Sequence, residues 1–109
     1  MTKYVKLFNL KMDTFGIIIR HQQESRKLPL RIVASSVNID QAILSKIERG
    51  QRKATRKQVL NLAKYYDIGE EKLLVAWLSD KIAYELRDEI HAKEALKVAE
   101  NKIEYLNYK

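Results

Sequence analysis

The chain has 109 residues, 46% of them apolar, which suits one domain with a modest core plus an appendage and is too apolar for a disordered tail. It contains no cysteine, which excludes a disulfide framework, a thiol nucleophile and a thiolate metal site, and its three Gly and one Pro are too few for a turn-rich β-sandwich or barrel. The net charge of +7 is unevenly carried: residues 1–66 hold 14 Lys/Arg against four acids, and residues 67–109 hold seven against ten. A basic front points to a polyanionic partner and a mildly acidic back to some other task, although a solvated surface with accidental bias has the same composition.

No apolar run reaches the ~20 residues that cross a bilayer, and the first ten residues lack the apolar stretch of a secretion signal, so a soluble cytoplasmic protein is expected. Residues 1–12 are an apolar and basic lead-in too irregular to assign. Asp13 or Thr14 can cap a first helix running to about Ser25. Arg26-Lys27-Leu28-Pro29 breaks it, and Pro29 suits the first turn of the next helix. There Leu30, Val33, Ala34 and Val37 follow the spacing of a buried face.

Asn38 tolerates the left-handed conformation that ends a helix, and Asp40 is a good cap for another. That third helix, 41–49, buries Ile43 or Leu44 together with Ile47, and Gly50 terminates it. Thr55 and Gln58 form a capping box, and the fourth helix is expected to bury Val59, Leu60, Ala63 and Tyr66. Asp67 closes it. Gly69, with Glu70 and Glu71, opens a fifth helix. No Gly or Pro follows, so the last 40 residues form one bent helix or two with a break near Asp88.

Two short helices joined by a tight turn over 30–49 have the pattern of a helix-turn-helix, whose second helix can lie in the DNA major groove. Packing of the apolar set would point Gln41, Ala42, Ser45 and Lys46 outward. Gln bonds adenine bidentately, Lys donates to guanine, Ser serves either, and an Ala methyl packs on thymine. An ordinary polar helix face uses the same residue types. The context narrows the choice: residues 49–57 carry five basic side chains and a helix start, a combination suited to phosphate oxygens.

Phe15-Gly16, Leu28-Pro29-Leu30, the stretch 33–39, the string Leu44-Ser45-Lys46-Ile47-Glu48-Arg49-Gly50 and the stretch 60–68 together resemble the Cro/C1-type (XRE family) helix-turn-helix repressors. The resemblance covers residues 13–78. It implies an all-α, lambda-repressor-like five-helix bundle, with residues 79–109 as a C-terminal helical extension. It further implies sequence-specific binding of double-stranded DNA as a transcriptional regulator, as a homodimer on a palindromic operator with the third helix in the major groove. Carried over by position, Gln41, Ala42, Ser45 and Lys46 would face bases, while Arg52, Lys53 and Arg56 would face backbone; Arg49 is a further backbone candidate, and Arg31 or Lys27 would substitute for the backbone contact that Pro29 and Leu30 do not make. The chain departs from the family in three places. Pro29 and Leu30 replace the usual polar cap and Gln, Gln23 stands where many members carry an Arg opposite the Glu matching Glu48, and Asn38 replaces the turn glycine.

Ile17 and Ile18, where the family tends to carry charge, join Ile19 in making the first helix apolar on too many sides for an isolated bundle. The lead-in or the C-terminal helix is expected to cover them. Ile82, Leu86 and Ile90 form one stripe, and Leu96, Ala99, Ile103 and Leu106 another. Ile82, Leu86, Ile90, Leu96 and Ile103 are therefore candidates for a dimer seam, with Trp77 and Leu78 expected in the monomer core. His21 and His91 have no ligand partners at metal spacing, and neither a nucleophile elbow nor a phosphate loop is present. No enzyme activity, metal, cofactor, small-molecule ligand or membrane contact is expected. Two other readings stay open: a protein-interaction module of antitoxin or anti-repressor type built on the same scaffold, and a nonspecific nucleic-acid binder.

Overall fold

Helix starts follow the acceptors in the sequence. Thr14 accepts the Ile17 N–H at 3.2 Å. One Asp40 carboxylate oxygen accepts from Ala42 and Ile43 at 2.9 and 3.2 Å. Thr55 and Gln58 cap reciprocally, at 3.1 and 2.9 Å. Each such cap stabilises by about 1 kcal/mol. Pro29 precedes its helix without a side-chain cap, its ring setting φ at −62°.

The first four helix ends share one geometry. Lys27, Asn38, Gly50 and Asp67 all take positive φ, between 54° and 74°. In each case the next N–H returns to the carbonyl five residues back: Leu28 to Gln23, Ile39 to Ala34, Gln51 to Lys46 and Ile68 to Ala63. This satisfies carbonyls that the helix leaves open, and in three of the four cases the returning residue is apolar and packs on the core.

The computed structural model describes residues 13–108, in six helices: α1 (Phe15–Ser25), α2 (Leu30–Val37), α3 (Gln41–Glu48), α4 (Arg56–Tyr66), α5 (Glu70–Glu85) and α6 (Ala92–Tyr108). No strand occurs among the described residues, and the fold is all-α. Helices α1 to α5 form a bundle around one core, in which α1 packs on α3 and α5, α2 on α3 and α4, and α4 on α5.

Three expectations about the core need correction or refinement. Leu62, not Leu60, is the leucine that α4 buries; Leu60 stays half-buried. Ile18 and Ile19 are wholly buried on α1, which packs on both α3 and α5, and Ile17 is 41% exposed. The proposed cover by residues 1–12 falls outside the described residues. Trp77 is buried as expected, but Leu78 is exposed because it follows Trp77 by one residue and so points off the buried face.

The last 40 residues form two helices, broken at 86–91. Only the first half of α5 is buried, through Leu73, Ala76 and Trp77, and from residue 93 to residue 107 every position of α6 is exposed. The radius of gyration of 15.5 Å exceeds the ~13 Å of a compact 100-residue domain because α6 stands off the bundle.

Candidate nucleic-acid interface

An eight-residue helix does not persist alone in water, so α3 owes its place to its neighbours. Leu44 and Ile47 are buried at 0% and 2% exposure, each contributing ~1.5–3 kcal/mol. Beneath its C-terminal end α1 passes at backbone contact: a Cβ built on Gly16 would lie 2.6 Å from the Ile47 carbonyl oxygen and 2.8 Å from that of Glu48. This packing fixes the opposite face. Gln41, Ala42 and Lys46 are exposed on it, and Ser45 is half-buried beside them. The Ser45 carbonyl accepts both the Arg49 backbone N–H, at 3.2 Å, and its Nε–H, at 3.3 Å, so Arg49 folds back over the end of α3.

The loop after α3 is anchored rather than free. Ala54 is buried, and its carbonyl accepts the Trp77 Nε1–H of α5 at 2.9 Å. Around this anchor, cations sit on aromatic rings. Lys81 Nζ lies 3.5 Å from the centre of the Trp77 ring, with the Arg56 guanidinium 5.6 Å away; the Arg87 guanidinium and Lys53 Nζ lie 3.9 and 5.3 Å from the Tyr84 ring. A cleft of about 590 Å³ opens between loop and helix, with Phe15, Ile47 and Trp77 among its lining. Asp80 also lines it, and its carboxylate accepts the Phe15 N–H at 2.8 Å, capping α1 from across the bundle. Burial pushes the Asp80 carboxyl up despite that bond.

Of the expected backbone-facing residues, Arg49, Arg52, Lys53 and Arg56 are exposed along α3, its loop and the start of α4. Arg31 is exposed on the first turn of α2. The contribution of Lys81 and Tyr84 on α5 and of Arg87 just beyond it was not read from the sequence. Its signal was there: Trp77, Lys81 and Tyr84 stand four and three residues apart, on one helix face.

Glu48 closes α3 on its inner side. It is 8% exposed, and its Oε2 is buried without a hydrogen bond, as is the Tyr66 hydroxyl of α4. Gln23, standing where a cationic partner was sought, instead donates to the Leu28 carbonyl at 2.6 Å. The cation acting on Glu48 is Arg20, which is itself paired with Glu24 at 3.1 Å. Burial outweighs that attraction and pushes the Glu48 carboxyl up to about 7. Tyr66 is raised by burial first and by Glu48 second.

The dimer candidates are divided among elements. Ile82 is on α5, Leu86 at its end, Ile90 in the break, and Leu96 and Ile103 on α6; Leu86 is half-buried and the other four are exposed. Among the described residues no three metal-ligating side chains gather, and no helix is long and apolar enough to cross a membrane. The chain matches no family model, no curated protein and no solved structure with which it was compared.

Proposed function

We propose that this chain is a sequence-specific double-stranded-DNA-binding transcriptional regulator of the Cro/C1 helix-turn-helix type, acting as a homodimer with α3 in the major groove. The observation that carries the reading is the division of α3. Leu44 and Ile47 are locked into the core, while Gln41, Ala42 and Lys46 form an exposed face that runs directly into an anchored, exposed row of cations. Selecting bound sequences from a random duplex pool tests it: a recurrent motif is expected, and equal affinity for selected and random duplexes overturns it in favour of a nonspecific binder.

The roles separate by substitution. Gln41→Ala or Lys46→Ala is expected to cost ~1–3 kcal/mol of discrimination at one position of the selected site. Lys53→Ala or Arg56→Ala should weaken selected and random duplexes alike and flatten the salt dependence. Four variants with the same behaviour in binding titrations would remove the assignment.

The second copy is assigned to α6. Among the described residues α6 has no buried side chain, so packing within one chain adds little to it, and its Leu96, Ala99, Ile103 and Leu106 repeat at the three-four spacing of a coiled-coil seam. Sedimentation at micromolar concentration is expected to give a dimer, and the double variant Leu96→Asp with Ile103→Asp a monomer. A monomeric unmodified chain would favour the antitoxin-type or anti-repressor-type reading, in which a different protein covers this helix.

A further inference from the structure

We propose that the DNA-contacting surface continues onto α5 and the turn after it, where Lys81 of α5 and Arg87, two residues beyond its end, form a second phosphate-binding row beside the 52–56 segment; this rests on the reading of α3 given above. Lys81 and Arg87 are exposed, and each lies against an aromatic ring that a loop cation approaches as well: Lys81 and Arg56 share Trp77, and Arg87 and Lys53 share Tyr84. The rings hold the ammonium and guanidinium groups in place without neutralising them. Among the described residues no carboxylate pairs with Arg52, Lys53, Arg56 or Lys81; Arg87 donates to the Tyr84 carbonyl at 2.6 Å, and its one carboxylate neighbour, at 3.8 Å, is the exposed Asp88. Asp80, the acid inside the cleft, is engaged by the Phe15 N–H.

Charge identifies the occupant. A second copy of this surface would bring two unneutralised cation clusters together, which association does not tolerate. A small anion would use one or two of these groups, leaving the rest uncompensated. A duplex presents a phosphate charge every ~1.7 Å of its axis and rewards each neutralised phosphate with released counterions. The Trp77–Ala54 hydrogen bond ties α5 to the loop that leaves α3, so the two rows keep a fixed relation to the base-reading face.

The test is the salt dependence of binding to a fluorescent mixed-sequence duplex of about thirty base pairs, because phosphate contacts act on any sequence. The double variant Lys81→Ala with Arg87→Ala should have a log affinity against log salt slope shallower by about two. Between about 50 and 200 mM salt the unmodified chain should then lose roughly tenfold more affinity than the variant. Lys81→Arg with Arg87→Lys, which keeps both charges, should restore the slope. A melting curve confirms that each variant is folded. An unchanged slope in the double alanine variant, with a shallower one in Lys53→Ala with Arg56→Ala, overturns the α5 row and leaves the reading of α3 standing. No duplex binding by the unmodified chain overturns both.

Discussion

Gly16→Ala is expected to lower the melting temperature by roughly 10 °C, a loss of about 2 kcal/mol for a domain of this size. In an exposed helix the same change would add up to ~1 kcal/mol through helix propensity. Here the new methyl would sit 2.6 and 2.8 Å from two carbonyl oxygens of α3, and both belong to backbone that cannot swing aside. Overpacking of this kind costs ~1–3 kcal/mol, and more when a main chain has to yield, so the clash outweighs the propensity. The strain acts where α1 supports the end of α3, so DNA affinity should fall along with stability. Gly69→Ala is the control: its Cβ would meet nothing nearer than a flexible Lys72 methylene at 3.9 Å, and the melting temperature should scarcely move. Equal melting temperatures for the two variants would refute the close approach of α1 to α3.

The second large effect is on pH dependence. Glu48 titrates near 7 in the folded chain against 4.5 for the free side chain. A carboxyl raised by folding favours the folded state below its unfolded value, and that contribution is lost as pH rises through the folded value. Its contribution is therefore fully present below about pH 4.5 and gone above about pH 7, a change on the order of 3 kcal/mol. Glu48→Gln has nearly the shape of the protonated acid and carries no charge at any pH. Urea unfolding should find the variant and the unmodified chain similar at pH 5 and the variant more stable at pH 8. A stability difference that stays the same at both pH values would mean that Arg20 neutralises Glu48 after all.

The legible part of this molecule is the part governed by near neighbours. Thr14, Asp40 and Thr55 open helices because a side-chain oxygen reaches an amide two or three residues on. Asn38 and Asp67 close helices because they accept positive φ readily. Lys27 closes α1 in the same conformation without that tolerance. What holds it there is the return of the Leu28 N–H to Gln23 and the seating of Leu28 against the core, which the sequence signalled only as a break before Pro29. The outward face of α3 was legible in part: the sequence left Ile43 or Leu44 to pack with Ile47, the structure buries Leu44, and of the residues expected outward Gln41, Ala42 and Lys46 are exposed while Ser45 is half-buried.

By itself the sequence determined the starts, stops and periodicity of the first four helices and the start of the fifth, left the last 40 residues as one bent helix or two, and marked a candidate base-reading face with the cationic run after it. These follow from capping, backbone preference and a 3.6-residue repeat, which all act within about five positions. Only the tertiary structure decided which flank of a broad apolar face goes inside, as with Leu62 over Leu60 and Ile18 over Ile17. It also decided that Glu48 is buried short of a partner and that the cations of α5 join the loop. Those outcomes depend on contacts such as Ala54 with Trp77, Arg26 with Tyr66 and Phe15 with Asp80, which are 23, 40 and 65 residues apart. Desolvation and ring–cation attraction arise only once such distant groups are brought together, and no local rule of the chain carries them.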